Sequence, residues 1–250
     1  MAASRAAKIS AALAVSLGML TTGAAWAATA TLYRPATSSA DPHDLSGVWF
    51  LEHYNRIIGT IEGTLPPMNE HGKLEWAKRV VAEANGAPMA DASSHCWPHG
   101  TPRVMNSPYP LQIFQTAQQT VIAHEVAHNT RFIHMLRDHP AQVKSSFMGD
   151  SVGHWEGDTL VIDTVGVDPR TWIDEQGVIH GPKLHTVERI KKINGGKQIE
   201  DVVTVEDPDF FVRPWKFRDT YAWRPDLRLT EYSCEENNRN APQDGVTVAK

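Results

Sequence analysis

Cysteine is scarce in this chain, with only Cys96 and Cys234 among 250 residues. No short Cys/His spacing surrounds either one, so a cysteine-based metal site would lack its other ligands. The chain also has no Gly-x-Ser-x-Gly elbow, no P-loop and no dinucleotide fingerprint. Those absences remove the serine-hydrolase, nucleotide-dependent and nicotinamide-dependent readings. Basic charge is not in excess either: the formal net charge is −5, which argues against nucleic acid and anionic membranes as partners. No internal repeat is visible. No apolar run comes near the roughly 20 residues that a membrane-spanning helix needs.

At the N-terminus, Arg5 and Lys8 precede an apolar, small-residue run from Ile9 to Leu20, and then Ala25-Trp26-Ala27. This is the three-part pattern of a cleavable signal peptide over residues 1–27; a membrane anchor is the alternative, but the run is short for one. Export would leave 22 basic against 29 acidic side chains. A periplasmic or secreted location also suits a single disulfide between Cys96 and Cys234, with two free thiols or a metal pair as the alternatives.

Residues 28–43 are rich in Ala, Thr, Ser and Pro and read as a flexible lead-in, residues 44–238 as one domain, and residues 239–250 as a tail. The domain opens with Gly47-Val48-Trp49 at the head of an apolar strand, with Ile57 to Glu62 as a possible partner. Leu74, Ala77, Val81 and Ala84 recur at helical spacing, which predicts a helix over 69–85 with those residues on its apolar face, capped by Asn69 and ended by Gly86. His95 to Arg103 is too rich in Pro and Gly for regular structure.

After Pro110, short runs rich in Val, Ile, Thr and aromatics follow one another: 111–116, 120–126, 131–136, 151–156, 159–165, 184–193, 198–206, 217–223 and 229–234. Gly-containing turns at Glu156-Gly157-Asp158 and Asn194-Gly195-Gly196 read as hairpin connections. The expected fold class is mainly β, an antiparallel up-and-down β-barrel with one N-terminal helix, which also removes exposed sheet edges.

The stretch Gly153-His154-Trp155-Glu156-Gly157-Asp158-Thr159-Leu160-Val161-Ile162-Asp163-Thr164 resembles a large family of secreted, largely uncharacterised bacterial proteins with a G-R-W-E-G-D-T-L-V-V-D-T signature. Further matches are Cys96-x-Pro98-x-Gly100-x-Pro102-Arg103, Leu184-His185-x-Val187-Glu188-Arg189, Asp207-Pro208, Pro214-Trp215 and Glu231-Tyr232-x-Cys234-Glu235-Glu236-Asn237-Asn238. The Gly-x-Trp start and the W-E-G-D-T-L hairpin are also similar to lipocalin and calycin barrels, which hold small molecules; that likeness is a fold-level analogy. His154 stands where the signature has Arg, and Asp150 where the family often has His.

Twelve histidines is a high count, and His124, His134, His154 and His185 fall inside strands. Histidine exchanges protons near neutral pH and is also the commonest metal ligand. The four-residue pairs His124/His128 and His95/His99 lie in or beside turns, so no metal or cofactor is expected. Acid/base work is assigned to His185, His154 and Asp163, which neighbouring strands could aim into one internal cavity; Asp163 is either buried beside a histidine or solvated. Glu188, three residues from His185, should point to the other face of its strand. His124, Arg131 and Trp155 are expected to contact a ligand, and Arg131 could instead pair with Glu125 across a hairpin. The expected function is binding of a small apolar or aromatic molecule with a lyase or isomerase step; a non-catalytic periplasmic binder and a structural module are the alternatives.

Overall fold

Alternating burial along nine short segments marks them as strands with one face inward, and their Val, Ile, Thr and aromatic content suits a pleated, half-buried surface. They are β1 (Gly47–Leu51), β2 (Leu111–Gln115), β3 (Gln119–His124), β4 (Thr130–His134), β5 (Asp150–Glu156), β6 (Thr159–Val165), β7 (His185–Ile193), β8 (Gln198–Glu206) and β9 (Trp215–Trp223). The molecule is known from a computed structural model that describes residues 38–86 and 91–234. The expected leader at 1–27 and tail at 239–250 lie outside the described residues.

The nine strands close into a barrel in sequence order, with β1 completing the ring against β9 through Trp49 opposite Trp223. Every seam is antiparallel except one: β4 and β5 run parallel, pairing Ile133 with Ser151 and His134 with Val152. The purely antiparallel up-and-down barrel expected from sequence is therefore corrected. The reason is parity: directions cannot alternate all the way round a closed ring of nine. Parallel neighbours need a connection that travels back along the barrel, and residues 135–149 make it, crossing outside the sheet.

Two expected strands are absent. Residues 57–62 form turns, tied locally by the Thr60 N–H to the Thr64 carbonyl and to β9 by the Ile61 N–H to the Lys216 carbonyl, both at 2.8 Å, without making a ladder. Residues 229–234 form a strap without strand structure.

The helix α1 (Glu70–Ala84) starts where expected, with the Asn69 side chain accepting from the Gly72 N–H at 2.8 Å. Its buried face is not the expected one. Leu74 and Val81 are 57% and 59% exposed, while Gly72 is buried so closely that a Cβ there would meet the Phe210 carbonyl oxygen at 2.5 Å. Trp76 packs on the core, Arg79 lies over the Trp172 ring, and Glu83 holds Arg56. The helix docks through close approach and charge, so its aliphatic spacing does not report its orientation.

Two apolar clusters fill the protein. One gathers Trp49, Leu111, Ile122, Ile133, Leu160, Ile190 and Tyr221; the other gathers Val203, Val205, Trp215 and Phe217 with Met68, Ile173 and Phe211. The part of the lead-in that is described is hydrogen-bonded to the barrel: Ser38 donates to the Gly196 carbonyl at 2.7 Å, and Lys192 Nζ donates to the carbonyls of Ser39 and Asp41. Cys96 and Cys234 form a disulfide. It is compatible with an oxidising compartment, and no described helix is long and apolar enough to cross a membrane.

Candidate functional site

Strand alternation decides which side chains enter the barrel. On β4 the inward residues are Arg131 and Ile133, on β5 Ser151 and Gly153, on β6 Leu160, Ile162 and Thr164, on β7 Thr186, Glu188 and Ile190. Arg131 does not pair with Glu125, the alternative to a ligand contact. Its guanidinium grips both carboxylate oxygens of Glu188, donates to Thr164 Oγ1 at 2.8 Å, and donates through Nε to Ser151 Oγ at 3.2 Å. Glu125 instead accepts from the N–H and hydroxyl of Thr230.

Asp201 and Asp219 face each other on β8 and β9 in the same interior. Burial, with the negative charges of Glu188 and Asp219, pushes the Asp201 carboxyl far up. Burial and Glu188 push Asp219 up to about 7. The unfolded Asp219 ionises near 3.8, so between there and about 7 each rise in pH favours the unfolded chain. Asp219→Asn should therefore gain stability relative to the parent protein as pH rises from about 4 to about 8, compared by urea midpoints. A difference that stays constant over that range would show that Asp219 is already ionised in the fold.

His124 is also interior and buried, and burial, the Arg131 charge and His99 lower it to about 3. It is a neutral core histidine, and its Nε2 has no hydrogen-bond partner among the described residues. Trp155 points inward too, against the first apolar cluster, with its ring 4.5 Å from that of His43. The barrel interior thus holds packed apolar residues and a charge network.

The expected acid/base residues lie on the opposite face. Asp163, His185 and His154 alternate with the inward residues of β6, β7 and β5, so they face outward; the expected internal placement is corrected. Two of the three do meet: His185 Nε2 lies 2.9 Å from Asp163 Oδ2. His154 does not join them; it is 61% exposed and contacts Glu156.

Its place is taken by His139, which the sequence reading did not single out. His139 comes from the crossover, with Nε2 3.0 Å from Asp163 Oδ1 and Nδ1 2.7 Å from Asp150 Oδ1. Arg137, two residues earlier, clamps Asp150 through both its terminal nitrogens at 3.2 and 2.5 Å. Burial works against the charged form of Asp150, but the bonds from Arg137 and His139 outweigh it and hold its carboxyl below the usual range. One available signal was the length of the connection between β4 and β5, since long connections in compact domains often carry function.

Asp150 also borders a cleft of about 410 Å³ where β4 and the start of β5 diverge. The parallel seam pairs only the last two residues of β4. Beside the remainder, the cleft is lined by Thr130 and Phe132 from β4 and by Phe147, Met148 and Asp150, with Pro98, His128, Asn129, His134 and Ser151 among its other lining residues. His185, Asp163, His139 and Asp150 thus form a continuous hydrogen-bonded row from the outer surface to the cleft. Among the described residues no group of His, Cys, Asp and Glu has an arrangement that could hold a metal ion.

Neither protein-family models nor curated proteins contain a match to this chain.

Proposed function

We propose that this is an exported protein that binds a small apolar or aromatic molecule in the cleft between β4 and β5 and moves a proton on it, in a lyase or isomerase step that uses no cofactor. The observation that carries this reading is His139, set between two carboxylates, one of which borders the cleft. Both its ring nitrogens face carboxylate oxygens, so His139 bridges Asp150 and Asp163. His185 continues that hydrogen-bonded row to the surface, and Asp150 brings it to the ligand. His134, also in the lining, is the second group available to a reacting molecule, as a proton-transfer step needs one group to take a proton and one to give it.

A non-catalytic binder is the second reading, and the cleft's Pro98, Phe132, Phe147 and Met148 favour it. Because packed apolar residues and the Arg131–Glu188 network occupy the barrel interior, both readings place the ligand in the outer cleft. The resemblance to the secreted bacterial family belongs to the same proposal and assigns no reaction.

The two readings separate in heavy water. Small aromatic ketones incubated with the protein should exchange their α-protons for deuterons, followed by proton NMR. Asp150→Asn and His185→Ala should keep the fold and ligand binding while exchange falls by roughly 10²–10⁴-fold, the usual contribution of a general acid or base. A chelator should leave the rate unchanged. Binding without exchange in the parent protein would select the binder.

A further inference from the structure

The cleft is bordered by a strand edge that the ring leaves open. Along the β3–β4 seam the His124 N–H donates to the Asn129 carbonyl at 2.8 Å, and the Met135 N–H donates to the Gln118 carbonyl at 2.9 Å. Between these two bonds Ile122 lies opposite Arg131 and Thr120 opposite Ile133. Hydrogen-bonded pairs alternate with unbonded ones in an antiparallel ladder. Arg131 and Ile133 therefore turn their main-chain groups to β3, while Thr130, Phe132 and His134 turn theirs toward β5.

β5 meets only part of that edge. Its two bridges, Ser151 with Ile133 and Val152 with His134, engage His134 and reach back no further than the Phe132 carbonyl, because a residue in a parallel pair bonds the neighbours of the residue opposite it. The Phe132 N–H and both main-chain groups of Thr130 thus have no main-chain partner among the described residues. They point in the plane of the sheet into the gap between β4 and the start of β5. That gap is the cleft, and both residues line it and are exposed. An open edge is a template for a further extended segment. Peptide-binding sites use one in this way, main-chain bonds giving affinity and side-chain pockets giving specificity.

We infer that the open edge of β4 holds the amide groups of the bound molecule, one N–H donating to the Thr130 carbonyl and the next carbonyl accepting from the Phe132 N–H. The ligand then lies opposite Arg131, continuing the parallel seam in the place of the missing ladder. This rests on the reading of the cleft between β4 and β5 as the ligand site, and it names the substrate class: N-acylated amides of an aromatic amino acid. Phe132, Phe147, Met148 and Pro98 suit the aromatic side chain, and about 410 Å³ suits a small molecule of this kind. The carbon between the two bonded groups carries a C–H acidified by its neighbouring carbonyl, which is the bond a proton-transfer site must break.

Amide hydrogen exchange in the isotope-labelled protein, followed by NMR, reads the edge residue by residue. In the free protein the Thr130 and Phe132 amides should exchange faster than that of Arg131, which is bonded to β3. Saturation with N-acetyl-phenylalanine methylamide should slow Thr130 and Phe132 and leave Arg131 unchanged. The analogue with an ester oxygen in place of the acylated N–H should bind about 10-fold more weakly, since it leaves the Thr130 carbonyl without a donor. A five-residue peptide centred on phenylalanine that binds more tightly would assign the amide to a polypeptide, and weaker binding would assign it to a free amino-acid derivative. Equal protection of Thr130, Arg131 and Phe132 in the free protein would overturn the inference, because the edge would not be open. Binding of the amide without slowing Thr130 or Phe132, or binding of acetophenone but not of the amide, would overturn it while sparing the cleft. If neither probe binds, the cleft reading fails and the inference fails with it.

Discussion

Arg131→Leu is expected to destabilise the protein by about 3–5 kcal/mol, the cost of leaving a buried partner charge uncompensated. The Arg131 and Glu188 side chains are 1% and 0% exposed, so removing the guanidinium strands the Glu188 carboxylate with no water to replace it. Thr164 and Ser151 lose a donor at the same time. Typical domains are stable by roughly 5–15 kcal/mol, so this single change approaches the limit of folding. The double variant Arg131→Met/Glu188→Leu should recover most of the loss, because a well-packed apolar pair is often as stable as the ion pair it replaces. Guanidinium denaturation of the three proteins tests both statements. A single variant within about 1 kcal/mol of the parent would mean that Glu188 is rehydrated or protonated at little cost.

Loss of the disulfide is expected to be comparably severe. Cys96 and Cys234 are separated by 138 residues, and closing a loop of that length restricts the unfolded chain by about 4–5 kcal/mol in the chain-entropy treatment. Cys96→Ala/Cys234→Ala should lower the urea midpoint accordingly without changing the position of β1 to β9, none of which contains either cysteine. If the midpoint is unchanged, the unfolded chain is already compact enough that the link restricts little.

Much of the β-structure was legible because its strands alternate and its turns carry glycine. Expected segments 159–165 and 198–206 coincide with β6 and β8, and the remaining segments between 111 and 223 lie within a few residues of the observed strands. Segments 57–62 and 229–234 have the composition of strands, yet the first reaches β9 through the Ile61 N–H without forming a ladder and the second is a strap, which composition does not reveal. The phase of the site strands was also hidden. On β6, Leu160, Val161 and Ile162 are all buried, because the outer face too is partly covered, so no polar stripe distinguishes outside from inside. The assignment of Arg131 to Glu125 followed hairpin proximity, whereas its partner Glu188 lies 57 residues away. His185 and Asp163 were legible as members of one acid/base set with His154, but which histidine meets Asp163 was not; His139 was not legible at all, because its position depends on how a long crossover folds back over the sheet.

The odd strand number has one more consequence. The β7–β8 seam registers nine residue pairs, from His185 opposite Glu206 to Ile193 opposite Gln198, while the seam that parity forces to be parallel registers two. Amide hydrogens protected by so short a ladder are exposed by small excursions, since local opening takes the least free energy where contacts are fewest. A molecule held between Phe132 and Phe147 would bridge that gap from both sides. Its binding energy would then add to the closure of the whole ring, and occupancy of the cleft and resistance to breathing would rise together.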